Sequence, residues 1–229
     1  MQVPSYCRPA AFKLFCSSLE NIESSRGLLR AAFAISLHER PTADLSATEA
    51  ILENLSSTVK SRVQSLHADA VLAHLHDVLF DVYALRGNVD DYYNPANSYL
   101  PDVLQTRQGL PIALVLIYKC VAEPLGLRVY GINAPGHFLA EVEIPGRTAT
   151  NPMFVDPFFG GVLLTPAEAH LRIRQTTGLV PAPSPKPLAR ASHKQWLARM
   201  LINLQAAFSF SGQDRSVLAM QEFFAQLDG

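Results

Sequence analysis

His137 and Asp156 are the two residues whose types and spacing best suit chemistry. His137 follows Pro135-Gly136 and heads the run His137-Phe-Leu-Ala-Glu-Val-Glu-Ile. Asp156 ends the run Met153-Phe-Val-Asp and precedes Pro157. Both runs alternate in the manner of strands. If the strands are adjacent and antiparallel, the two side chains meet at one end of a sheet. A carboxylate on one imidazole nitrogen fixes the tautomer and leaves the other nitrogen to act on a proton. The same pair also serves as a plain structural hydrogen bond at a sheet end, and spacing alone leaves both readings open.

The other candidates carry less. His74 and His76 lie two apart on one helical segment, which aims them about 200° apart. With His67 they read as solvated histidines of a helix face, and no metal site is expected. Cys7, Cys16 and Cys120 are too scattered for a disulfide framework or a zinc knuckle, and suit a reducing compartment. Cys120 falls mid-way along an apolar helix. A reactive thiol wants an accessible, electropositive setting, so Cys120 reads as a small buried hydrophobe. Nothing calls for a cofactor.

The elements that must position His137 and Asp156 follow from pattern. The chain has 229 residues, 48% apolar and 17% charged, a globular composition long enough for one well-buried core or two small ones. Lys plus Arg number 19 against 20 for Asp plus Glu, so no basic excess exists to bind nucleic acid or an anionic membrane. The longest apolar run, Leu110 to Tyr118, is far short of the roughly 20 residues that span a bilayer. The N-terminal residues show no signal-peptide pattern, and a cytoplasmic location is expected. The first ~90 residues read as helices by their periodic apolar positions. One stripe runs from Leu28 to His38 and stops at Pro41. A second segment follows Asp44, and a third opens at Asp69 and is expected to end near Gly87.

Residues 88–99, NVDDYYNPANSY, read as a turn-rich polar loop. A short helix is expected over Leu100 to Thr106, then a break at Gln108 to Leu110. Pro111 fits the first turn of a buried helix running from Ile112 to Ala122. Leu127 to Ile132, His137 to Ile144, Met153 to Pro157 and Gly160 to Leu164 read as strands. Thr165-Pro166 opens another helix. Pro181, Pro183, Pro185 and Pro187 mark an extended linker. Two helices, near His193–Phe210 and Arg215–Leu227, close the chain.

Four blocks in order, GNVDDYYNPANSYLPDVL, RQGLPIALVLIYKCVAEPLGL, YGINAPGHFLAEV and FVDPFFGGVLLTPAE, together resemble the bacterial transglutaminase-like family of the invasion-regulator B type, and the C-terminal ARMLINLQAAF is similar to it too, so the likeness runs from about Leu28 to Phe210. The resemblance implies an α+β, papain-like core. A helical part (1–90), the core (91–177), a Pro-rich linker (178–190) and C-terminal helices (191–229) would form a single domain. It also implies a cysteine at the head of the central helix, a histidine starting one strand and an aspartate ending the next. His137 and Asp156 match the last two positions. Pro111 takes the nucleophile's place, so thiol-based acyl transfer is not expected. Asn94, Asn97, Ser98, Tyr99 and Arg107 are the other residues expected to face such a cleft, or else to stabilise their own loop. The expected partner is a protein, a peptide or a small anionic ligand. The alternatives are a thiol-independent amide or ester hydrolase with a His–Asp general base, and a helical interaction scaffold.

Overall fold

A computed structural model describes residues 3–64, 67–143, 152–177 and 188–227. The helical half opens with α1 (Pro9–Leu19), α2 (Ser25–Glu39), α3 (Leu45–Arg62) and α4 (Ala68–His76). Side chains cap two of these starts: Ser24 accepts from the Gly27 N–H, and Asp44 from the Ser46 N–H. Then come β1 (Arg86–Gly87), a 3₁₀ turn over Pro95–Ser98, α5 (Leu100–Thr106), β2 (Gln108–Gly109) and α6 (Pro111–Ala122). The second half holds β3 (Arg128–Ala134), β4 (His137–Glu143), β5 (Met153–Asp156), β6 (Val162–Leu164), α7 (Pro166–Thr177), α8 (His193–Phe210) and α9 (Asp214–Phe224). The expected α+β class holds. Helices surround a four-stranded antiparallel sheet of order β3-β4-β5-β6.

Helix α6 is the hub. Pro111 occupies its first position, where the missing N–H costs no helical bond. Every residue of α6 except Cys120 is buried, as its unbroken apolar sequence requires. It packs against β3 and β4 on one side and α2, α3 and α5 on others. Lys119, the one charge on it, is satisfied internally by Glu123 and by the Val129 carbonyl at 2.7 Å. Pro124 ends the α-helix, and the last turn tightens to a 3₁₀ turn over Glu123–Leu125.

Helix α8 locks onto this hub through Trp196. The indole is fully buried, 4.7 Å centroid to centroid from Phe138, and donates to the Ile112 carbonyl at 3.2 Å. Gly131 makes room for it: a Cβ there would lie 2.4 Å from the ring. Ser192 and Gln195 form a reciprocal capping box at the start of α8.

Three expectations change. The third helical segment does not run to Gly87. It ends at His76, passes through a π-helical turn over Asp77–Val82, and reverses at Ala84 (φ 59°). Gly87 is no helix cap. It pairs in parallel with Gly109, and the Phe158 ring fills the place of its absent Cβ, only 2.4 Å away. His76 is not solvated: its Nε2 lies 3.0 Å from the Tyr118 hydroxyl and its ring packs against Phe80. The four linker prolines lie outside the described residues. The end of that stretch is held: Arg190 bridges to Ile132, lies over the Tyr130 ring at 3.5 Å and pairs with Glu141 at 2.7 Å. Among the described residues no helix is long and apolar enough to cross a membrane.

Burial pulls the His76 imidazole down from 6.5 to about 4, with Asp81 opposing weakly. The unfolded chain therefore takes up this proton at higher pH than the folded one. The stability it contributes is complete above about pH 6.5 and is lost as pH falls toward 4. His38 and His193 are also lowered by burial and add to the slope. Thermal melts between pH 7 and 4 should show a steep fall in Tm, and His76→Leu should flatten it relative to the parent.

Candidate functional site

The β3–β4 hairpin aims His137. Ala134 pairs with His137 across the ladder, so Pro135-Gly136 is a two-residue turn. Gly136 supplies its positive φ of 65°. Strand β5 pairs antiparallel with β4, Ala140 opposite Val155, and so delivers Asp156 to the same end. The two side chains meet: His137 Nε2 lies 3.0 Å from Asp156 Oδ2. Both are buried, Asp156 completely. From α7, Arg172 Nε comes within 3.7 Å of the same carboxylate oxygen while its guanidinium lies 4.1 Å above the Phe159 ring. Asp156 Oδ1 has no hydrogen-bond partner among the described residues. Phe158 meets the imidazole edge-on at 6.1 Å, and Phe159 closes another side at 6.1 Å. Gly161, at φ 74°, lets this loop sit against Phe80; a Cβ would lie 2.0 Å from that ring.

The start of α6 faces the imidazole across a narrow cleft. Pro111, Ile112, Gly136, His137, Tyr92, Arg199 and Asn203 border a space of about 10 Å³, room for one water-sized group. With Nε2 committed to Asp156, Nδ1 is the ring nitrogen left to serve that space. In the first turn of α6 the Ala113 and Leu114 N–H groups already bond to the Leu110 carbonyl, and Pro111 has none to give. Ile112 is the first-turn residue that retains an N–H for a ligand at this end.

The loop residues divide. Asn97 sits inside the loop, donating to the Asp91 carbonyl at 2.6 Å and accepting from Asn88 at 2.9 Å. Asn94 caps the 3₁₀ turn by accepting from the Ala96 N–H at 2.9 Å. Tyr99 turns away, its buried ring under Arg40 at 5.1 Å. Arg107 is exposed, in a left-handed conformation (φ 61°), over the Tyr83 ring. None of these four borders the His137 cleft, and neither does Ser98. Asn94 and Ser98 border a separate pocket beside it. Arg172, Arg199, Asn203, Tyr92, Phe158 and Phe159 are the cleft and pair neighbours that pattern did not single out. Tyr92, the phenylalanines, Arg199 and Asn203 stood in motif blocks, but nothing local marks Arg172.

The cysteines stand apart from the cleft. Cys7 donates to the Ala219 carbonyl at 3.1 Å on α9. Cys120, expected to be buried, is only partly so and lines a groove with α2 and α3 residues; desolvation by the surrounding protein still pushes its thiol up to about 12. Iodoacetamide should therefore modify Cys120 in the native protein at least ~10-fold more slowly than in the unfolded chain. Gly136→Val should be destabilising by about 1–2 kcal/mol from its φ alone. It should lose more from contact with Thr177, whose methyl lies 2.5 Å from the new Cβ. Denaturant unfolding would measure it.

Comparisons with known proteins give the chain a family. A UPF0162 protein of Xylella fastidiosa (strain Temecula1) is 32% identical over 187 residues, 80% of this chain and 65% of the relative. The chain thus spans a little under two thirds of that relative's length. F-box only protein 21 of Mus musculus is 33% identical over 158 residues, 66% of this chain and 24% of that protein. A UPF0162 protein of Pseudomonas aeruginosa is 33% identical over 132 residues, 56% of this chain and 46% of its own. No solved structure matches the chain significantly. The transglutaminase-like superfamily matches residues 46–202, which include α6, the sheet and the His137–Asp156 pair. The chain belongs to the transglutaminase-like superfamily.

Proposed function

We propose that this protein is a transglutaminase-like protein of the invasion-regulator B type that binds a protein, peptide or small anionic ligand without forming a covalent bond to it. The observation that carries this reading is Pro111 at the first position of α6, bordering one cleft with His137. In a cysteine hydrolase of this shape the nucleophile sits at a helix start, where the dipole lowers its pKa, and the histidine takes its proton. Pro111 removes the thiol. It also removes a backbone N–H at the place where an oxyanion would form. Loss of a single oxyanion donor alone costs about 100- to 1,000-fold in rate. An oriented imidazole remains, and the helix start beside it favours an anionic group. The even charge balance weighs against nucleic acid and membrane partners. The three scattered cysteines fit a cytoplasmic protein. We read 1–229 as a single domain built around the cleft.

The water-sized space beside His137 supports a second reading, in which the imidazole acts as general base on water for an amide or ester. Two measurements separate the readings. Hydrolysis of p-nitrophenyl acetate and of model peptides by the parent protein should not exceed that of His137→Ala. Turnover that depends on His137 would establish the hydrolase instead. Pro111→Cys should create a thiol that iodoacetamide modifies at least ~10-fold faster than Cys120, and His137→Ala should abolish the acceleration. A slow thiol at 111 would show that this helix start is not a nucleophile position.

A further inference from the structure

Beside the His137 cleft, between the loop 92–98 and the C-terminal half of α8, lies a pocket of about 440 Å³, a volume that suits a small ligand. Pro95, Leu110, Leu204 and Ala207 make it apolar. Two aromatic rings stand in water around it, Tyr93 at 77% and Phe210 at 92% exposure. Clustered exposed apolar surface of this kind marks binding sites. Ser98 is also part of its wall. It is only 1% exposed, and its hydroxyl has no hydrogen-bond partner among the described residues. A buried hydroxyl left unmade is unfavourable.

The pocket and the cleft share a wall. Tyr92 and Asn203 border both. Arg199 stands on the cleft side, and among the described residues its guanidinium hydrogen-bonds to two amide oxygens, Asn133 Oδ1 at 3.1 Å and Asn203 Oδ1 at 3.3 Å. No carboxylate among the described residues pairs with it, so its charge is available to an incoming anion. The cleft's 10 Å³ admits one water-sized group, which a carboxylate oxygen matches and a bulky group does not.

We infer that pocket and cleft form one two-part site for an apolar carboxylate. An aromatic or branched aliphatic group fills the pocket, and the carboxylate sits on Arg199 beside His137. The C-terminal residue of a peptide and an acylated amino acid share this chemistry. The inference rests on the reading of the cleft as a binding site, but its apolar half does not need His137.

The test is an NMR titration of the full chain with N-acetyl-phenylalanine, its amide, N-acetylglycine and the tripeptide Gly-Gly-Phe. N-acetyl-phenylalanine should shift the Ser98, Ala206 and Ala207 resonances saturably, and N-acetylglycine should not. The amide should bind about fivefold or more weakly than the acid, and Arg199→Gln should erase that difference. Ala207→Phe, at a half-buried helix position, should fill the pocket and weaken binding at least ~10-fold with the fold intact. Tighter binding of the tripeptide assigns the peptide source; tighter binding of the acylated amino acid assigns the small molecule. Absence of saturable shifts, equal binding of acid and amide, or indifference to Ala207→Phe overturns the inference. If Ala207→Phe abolishes binding and His137→Ala changes nothing, the pocket stands and the cleft's proposed role falls.

Discussion

A 3.0 Å hydrogen bond between an imidazole and a carboxylate, both out of water, is the interaction around which this structure is arranged. Burying Asp156 completely is unfavourable unless its charge is met, and His137 with Arg172 meets it on one oxygen. Much else serves that contact. The tight turn at Gly136 aims the histidine, the β4–β5 pairing delivers the aspartate, and the Phe158–Phe159 corner keeps the imidazole dry. Gly87 and Gly161 are small because that corner and Phe80 press against them. A low local dielectric strengthens the bond and raises the penalty for breaking it.

The buried helix α6 supplies the opposing wall. Its near-complete burial makes it the rigid element on which a site can be built with little positional freedom. Trp196 then ties α8 to its first turn, which brings Arg199 and Asn203 to the same cleft. Proline at the head of α6 is a favourable helix start and a chemically silent one. The residue that starts α6 well thus offers no nucleophile of its own.

Local signals made much of this legible. The span of α5 and that of α8 coincide with their sequence expectation, because prolines and a Ser192–Gln195 capping box punctuate them. The His137–Asp156 meeting was readable only on the condition that their strands pair antiparallel, because a period-two pattern sets the faces of a strand but not its neighbour; the β4–β5 ladder meets that condition. The role of Arg172 was not readable, because it lies on a helix whose docking, not its spacing, brings it to the site; Arg199 stood in the block ARMLINLQAAF, but only the docking of α8 shows that it borders the cleft. The π-helical turn after His76 escaped for a related reason: tertiary packing of Phe80 and Tyr118 overrides the regular period there. Among the loop residues, Asn94 and Asn97 behave as turn formers, as their side-chain chemistry allows, while the orphaned Ser98 hydroxyl is visible only in three dimensions.

An oriented imidazole persists here, with Nε2 on Asp156 and Nδ1 left free of that carboxylate. Nitrogen-15 NMR of the His137 ring tests it most directly. The Nε2 proton should exchange slowly with water and lose that protection in Asp156→Ala. A ring protonated at Nδ1 in its neutral form, or one whose Nε2 proton exchanges freely in the native protein, would contradict it.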